Sequence, residues 1–96
     1  MASAKEFFQK GREFDMEGQH QGAIAEYTRA IELAPNYVET YFYRGNALAF
    51  EGKPQKGIED LQKAAAILES QGQSEWAGAM RQQEEIIREG IQDGEF

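Results

Sequence analysis

Few residues in this chain have the types and spacings that covalent chemistry requires. His20 is the only histidine, and a catalytic or metal-binding imidazole needs partners that the sequence does not set beside it. The stretch "GNALAFEGKP", residues 45 to 54, has the glycines and lysine of a phosphate loop. However, six residues rather than four separate Gly45 from Gly52, and Pro54 stands where a Ser or Thr should follow Lys53. The acidic pairs Glu59 with Asp60 and Glu84 with Glu85 are sequence neighbours on helical segments, so their carboxylates diverge and read as solvated faces. With no cysteine, thiolate nucleophiles, disulfides and Cys-based zinc sites are excluded. No nucleophile has an evident base, and no Asp-rich calcium loop is present. The expectation is a chain that is not an enzyme and has no cofactor and no metal.

The side chains left for recognition are aromatic. "YFYRGNALAFEG", residues 41 to 52, sets three aromatics in a row and a fourth seven places after the last of them. A helix turns about 100° per residue, so Tyr41, Phe42 and Tyr43 cannot all face one core. Some of them hold the fold together, and the others are free for a partner.

Charge narrows the partner. The 96 residues carry a net charge of −7, distributed unevenly. Residues 4–37 have six acids against four bases, residues 38–71 five against four, and residues 72–96 six against two. Nucleic acid is disfavoured because phosphate binding depends on clustered Lys and Arg, and anionic membrane surfaces are disfavoured for the same reason. No apolar run approaches the ~20 residues of a membrane span, and the N-terminal stretch lacks the pattern of a signal peptide. Membrane insertion is not expected, and a cytoplasmic location is the default. A composition of 41% hydrophobic and 28% charged residues fits one small globular domain, 1–96.

The elements that must position these side chains are helices. "KEFFQKGREFDMEG" ends in Gly18 and "VETYFYRGNALAFEG" in Gly52, where glycine can take the left-handed conformation that closes a helix. "QGAIAEYTRAIELAPN" places Ala23, Tyr27, Ala30 and Ile31 on one stripe and stops at Pro35. "QKGIEDLQKAAAILESQG" repeats the stripe with Ile58, Leu61, Ala64, Ala65 and Leu68, and stops before Gly72. Five helices are predicted, roughly 4–17, 21–34, 38–51, 55–70 and 74–91, with no strands. The last has Ser74 as N-cap and a stripe of Trp76, Ala79, Met80, Ile87 and Ile91. Residues 92–96, which close on "GEF", are read as a tail, and no function is given to "GEF".

A shift of 34 residues superimposes Phe7 on Tyr41, Gly11 on Gly45, Phe14 on Leu48, Gly18 on Gly52, Ile24 on Ile58, Tyr27 on Leu61, Ala30 on Ala64 and Leu33 on Ile67. The matches fall at helical spacing on either side of a glycine, as a repeated helix, turn, helix unit produces. Small residues oppose large ones within each unit. Gly57, inside a helix, costs about 0.5–1 kcal/mol relative to Ala, so close approach of two helices is the reason for it.

These residues carry a resemblance to the tetratricopeptide repeat family. Residues 4–37 supply Phe7, Gly11, Phe14, Ala23, Tyr27, Ala30 and Pro35, and residues 38–71 supply Tyr41, Gly45, Leu48, Gly57, Leu61 and Ala64. Residues 72–91 then resemble a capping helix. The fold class implied is all-α: antiparallel helix-turn-helix repeats in an alpha-alpha superhelix of five helices. Lys10 and Arg44 stand where the family pattern prefers Leu, with their stems expected along apolar surface and their charges in water.

On a helical wheel, Tyr41, Gly45 and Leu48 share the face used by the repeat core. Phe42, Tyr43, Asn46, Ala49 and Phe50 form a second stripe, matched in the first helix by Phe8, Gln9, Arg12, Asp15 and Met16. In the family that the chain resembles, this stripe lines a concave groove for a peptide. The resemblance therefore implies a peptide-binding groove of Phe8, Arg12, Met16, Phe42, Tyr43, Asn46 and Phe50, and a protein or peptide ligand that is apolar or aromatic in part. Members that clamp a C-terminal carboxylate use Lys and Asn at the places held here by Phe8, Arg12 and Tyr43, with a basic pair on the fifth helix that this chain lacks. The implied function is a non-catalytic protein-binding scaffold. The alternative is a self-associating module, a homodimer or helix exchange, with the groove filled by another copy. The aromatics touching only one another or the capping helix is the third possibility.

Overall fold

The computed structural model describes residues 2–96. It contains five α-helices in the order α1 (Ala4–Met16), α2 (His20–Leu33), α3 (Val38–Phe50), α4 (Pro54–Ser70) and α5 (Ser74–Gln92), and no strand among the described residues. The predicted boundaries hold to within one residue.

One device ends four of the five helices. Gly18, Gly52, Gly72 and Gly94 all have φ between +75° and +77°, which an L side chain rarely adopts. Past each glycine, the next backbone N–H reaches back to the helix. Gln19 bonds Phe14, Lys53 bonds Leu48, Gln73 bonds Leu68 and Glu95 bonds Gly90, at 2.8 to 2.9 Å, which satisfies a carbonyl that would otherwise be orphaned. α2 ends differently: Ala34 leaves helical geometry, with φ −141° and ψ 81°, because Pro35 disfavours the helical conformation in the residue before it.

Helix starts are less uniform. α1 opens on a capping box, in which the Ser3 hydroxyl accepts from the Glu6 backbone N–H and the Glu6 carboxylate reaches back to the Ser3 N–H, a device worth about 1 kcal/mol. Pro54 starts α4 at a position where its missing N–H is no loss. The expected Ser74 cap is corrected: Gln73 is the N-cap and makes no side-chain bond, while Ser74 is the first helical residue.

Each helix packs antiparallel against the next, and α1 also touches α3. α1, α3 and α5 therefore share one face of the molecule and α2 and α4 the other. Ala23, Tyr27 and Ala30 of α2 are fully buried, as are Leu61, Ala64 and Ala65 of α4. Tyr41, Ile58, Leu68, Met80 and Ile87 join the second helix pair to α5 in one core. The stripe expected on α5 needs one correction. Trp76 is 63% exposed and Ala77 faces the core in its place, while Ala79, Met80, Ile87 and Ile91 lie on the core side as expected.

The glycine logic holds at contact distance. A Cβ on Gly45 would stand 2.8 Å from the Gly57 carbonyl oxygen, and a Cβ on Gly57 would overlap the Gly45 carbonyl oxygen. A Cβ on Gly11 would lie 2.6 Å from Cδ1 of the buried Tyr27 ring. α3 and α4 thus touch backbone to backbone, which sets the angle at which α3 presents its other face.

Arg44 and the acidic pairs also require correction. Arg44 does not send its charge into water. Its guanidinium is forked onto Asp60 of α4, Nε to Oδ2 at 2.7 Å and Nη2 to Oδ1 at 2.8 Å, and Nη1 donates to the Thr28 hydroxyl of α2 at 3.2 Å. Asp60 is only 7% exposed, so it belongs to the packing between helices and not to a solvated face. Glu84 is likewise mostly covered, and accepts from Arg88 and Gln62. Glu59 and Glu85 do face solvent.

Candidate functional site

A cluster of aromatic rings joins α1 and α3 on the face that they share. Phe8 has three ring neighbours, Tyr27, Tyr37 and Tyr43, at centroid distances of 5.9, 5.1 and 5.5 Å. Phe42 meets Tyr43 edge to face at 5.2 Å. Such pairs add about 0.5–1.5 kcal/mol each beyond the area they bury. Phe8 is thus largely engaged inside the protein, where it supports Tyr43 from behind. Tyr37, in the loop before α3, completes the cluster; no periodicity marked it, because it lies outside the helices.

The other predicted positions fall along this face. Arg12 stacks its guanidinium on Tyr43, with Cζ 4.2 Å from the ring centroid. Asn46 accepts a hydrogen bond from Gln83 of α5 at 3.0 Å, a bridge that spans 37 residues of sequence. Met16 and Phe50 are 72% and 73% exposed. Ala49, placed on the same stripe, is buried in the core that includes α5.

Two hollows meet at Tyr43. The larger, about 580 Å³, lies between the start of α3 and the start of α5, with Phe42, Tyr43, Trp76, Ala79 and Met80 as apolar walls and Glu39 as the one charged lining residue. The second runs from Arg12 and Asp15 past Tyr43 and Asn46 to Met16 and Phe50. The structure therefore distributes Arg12, Met16, Phe42, Tyr43, Asn46 and Phe50 over two adjoining hollows. Trp76, Met80 and Gln83 are additional wall residues from α5. A lone tryptophan on the last helix was the available sign of this, had its exposure been legible. Within the closing "GEF", Phe96 packs on Gly90, its Cε2 2.5 Å from where a Cβ would be, and lines a third hollow beside Asn46, Phe50 and Ile86.

His20 has partners that the sequence did not place beside it. Its Nδ1 lies 2.9 Å from Asp15 Oδ1, and because a carboxylate only accepts, Nδ1 carries the proton. The ring stacks on Phe50 at 4.8 Å. The other oxygen of Asp15 accepts from the buried Tyr27 hydroxyl at 2.5 Å. One carboxylate thus links α1, α2 and, through His20, the end of α3. Among the described residues no group of three His, Cys, Asp or Glu side chains is placed to hold a metal ion, and no helix is long and apolar enough to cross a membrane.

Burial, followed by the hydrogen bond to Asp15, pushes the Tyr27 hydroxyl far above the ordinary tyrosine value of 10.0. Tyr41 and Tyr37 are also raised, each mainly by burial. The folded state therefore holds protons that the unfolded chain releases. The stability this contributes is complete below pH 10 and falls as pH rises above it, at about 1.4 kcal/mol per pH unit for Tyr27 alone. Urea melts from pH 9 to 12 are expected to show this decline, and Tyr27→Phe is expected to shallow it by that slope. An equal decline in the variant would remove Tyr27 as its source.

A family model described as TPR repeat matches residues 4–52, just over half of the chain. The match spans α1, α2, α3 and the turn that follows. No curated protein matches the chain.

Proposed function

The chain belongs to the tetratricopeptide repeat family, and from that premise we propose that it is a non-catalytic scaffold that binds a peptide segment of a partner protein. Members of the family are generally scaffolds for protein–protein interaction. In this reading, repeats 4–37 and 38–71 and the cap 72–91 act as one unit, and the ligand lies along α1, α3 and α5.

The observation that carries the proposal is the apolar hollow between α3 and α5. It is large enough for one or two side chains, has a single charged lining residue, and is bordered by a tryptophan that the fold leaves in water. Covering an indole of this kind stabilises a complex by about 1.5–3 kcal/mol. Phe42 and Tyr43 form the floor, Arg12 and Asn46 supply polar contacts, and Met16 and Phe50 extend the surface at the far end. Phe8 acts by fixing Tyr43.

Trp76 is the only tryptophan, so intrinsic fluorescence reports on the groove directly. Peptides selected from a displayed library against the folded protein are expected to shift Trp76 emission to the blue. Because Trp76 is exposed, Trp76→Ala is expected to leave the fold intact while weakening those peptides by about tenfold or more, read by calorimetry. Ligands that leave Trp76 emission unchanged and bind the variant equally well would exclude this groove.

A second reading, self-association, is favoured by the apolar side chains at the Phe50 end of the same face. Phe50, Ile86 and Phe96 stand exposed around one hollow, and self-association through it would cover them. Sedimentation at rising protein concentration separates the readings, because a monomer throughout excludes the second.

A further inference from the structure

Glu39 is the single charged residue in the lining of the hollow between α3 and α5. It is exposed, and among the described residues it takes part in no ion pair. Its charge acts on the aromatic wall: burial, and after it the Glu39 carboxylate, push the Tyr37 hydroxyl above its ordinary value. No Lys or Arg lines this hollow. Arg12 is stacked on Tyr43 and lines the neighbouring hollow, which it shares with Asp15. α4 ends beside the hollow, at Leu68 and Gln71, where α3 and α5 begin. The partial charges of these opposed helix ends offset one another, so the full charge of Glu39 sets the sign. An acid in the first turn also suits the dipole of its own helix, but Glu75 does this for α5 without lining the hollow.

The walls suit a cation carried on an aliphatic stem. Aromatic faces attract an ammonium or guanidinium within about 6 Å of the ring centroid, and an indole does so best. Lys and Arg lay their stems along apolar surface and keep the charged head at its wet edge. A hollow with apolar walls, an exposed tryptophan and one exposed acid matches that division along the side chain. We propose that the groove recognises a basic segment of a partner protein, in which a Lys or Arg side chain enters the hollow against Phe42 and Trp76 and sets its charge on Glu39. The net charge of −7 draws such a segment to the chain. The inference rests on the groove reading above and adds the chemistry of the ligand.

The test is selection against the wild-type chain from a library of short segments displayed internally, so that no terminal amine supplies the charge. Ligands that shift Trp76 emission are expected to be enriched in Lys or Arg. For one synthetic ligand with blocked ends, replacing the selected Arg by citrulline, or the selected Lys by acetyl-lysine, keeps the length and removes the charge. That change is expected to weaken wild-type binding about tenfold. Raising the salt is expected to weaken the charged ligand and to leave the neutral one nearly unaffected. On the protein side, Glu39→Gln is expected to weaken the charged ligand about tenfold, while Glu75→Gln, which removes an equal charge outside the hollow, leaves it within about twofold. The ligand substitution is read on the wild-type protein, so the proposal stays falsifiable even if Glu39→Gln disturbs the start of α3. Ligands that shift Trp76 emission without enrichment in Lys or Arg, or that tolerate the neutral residue, overturn the inference and leave the groove reading standing. Equal losses in Glu39→Gln and Glu75→Gln do the same, because the general charge of the chain then accounts for the preference. A selection that yields no ligand, or ligands silent at Trp76, overturns both.

Discussion

Gly57→Ala is expected to destabilise the protein by about 3 kcal/mol, while Gly78→Ala stabilises it by about 0.5–1 kcal/mol. Both glycines are inside helices, where Ala is ordinarily the better residue. The sign is decided by what a methyl group meets. At Gly78, in α5, nothing lies within 4 Å of a Cβ, and at Gly57 the Cβ overlaps the Gly45 carbonyl oxygen. A flexible side chain would move aside, but this oxygen belongs to the backbone of α3, so α3 and α4 must separate and Ile58 and Leu61 lose their contacts. Urea melts of the two variants and the wild type check the pair. A Gly57→Ala protein as stable as wild type would show that α3 and α4 do not meet backbone to backbone. The consequence reaches the groove, because α3 carries Phe42 and Tyr43, and a displaced α3 moves both.

That contact was legible in the sequence because repetition made it so. Gly45 repeats Gly11, and Gly57 stands in the place of Ala23, so small residues recur where two helices must approach. The same repetition exposed the helix ends at Gly18 and Gly52 and separated Tyr41 from Phe42 and Tyr43. Interactions between helices that no period relates stayed hidden. Asn46 bonds Gln83 and Phe8 packs at a tilt against Tyr37, and neither spacing recurs. α5 was the least legible element: it has no second copy to fix the edge of its stripe, so Trp76 was placed inward and Ala77 was overlooked. The walls that α5 adds to the groove were missed for the same reason.

The pairing of Arg44 with Asp60 was hidden for a different reason, since a charge at a core position can either reach water or find a partner, and composition does not say which. Its geometry leads to the second large effect. Asp60→Ala is expected to cost about 3–5 kcal/mol, because it leaves the Arg44 guanidinium among buried groups without its carboxylate. Burial opposes the charge on Arg44, yet its pKa is raised, chiefly by the hydrogen bond to Asp60, so the charge persists and must be accommodated. The double variant Arg44→Met, Asp60→Leu removes both charges and is expected to fall within about 1 kcal/mol of wild type. Glu69→Ala, which breaks the exposed pair with Arg81, is expected to cost under about 1 kcal/mol. Urea melts of the three variants separate a pair that stabilises from one that is costly mainly to break. A double variant as unstable as Asp60→Ala would mean that the fork itself, tied to Thr28, holds α2, α3 and α4 in register. In that case the departure from Leu at position 44 is what aligns the two repeats, and so what aligns the groove.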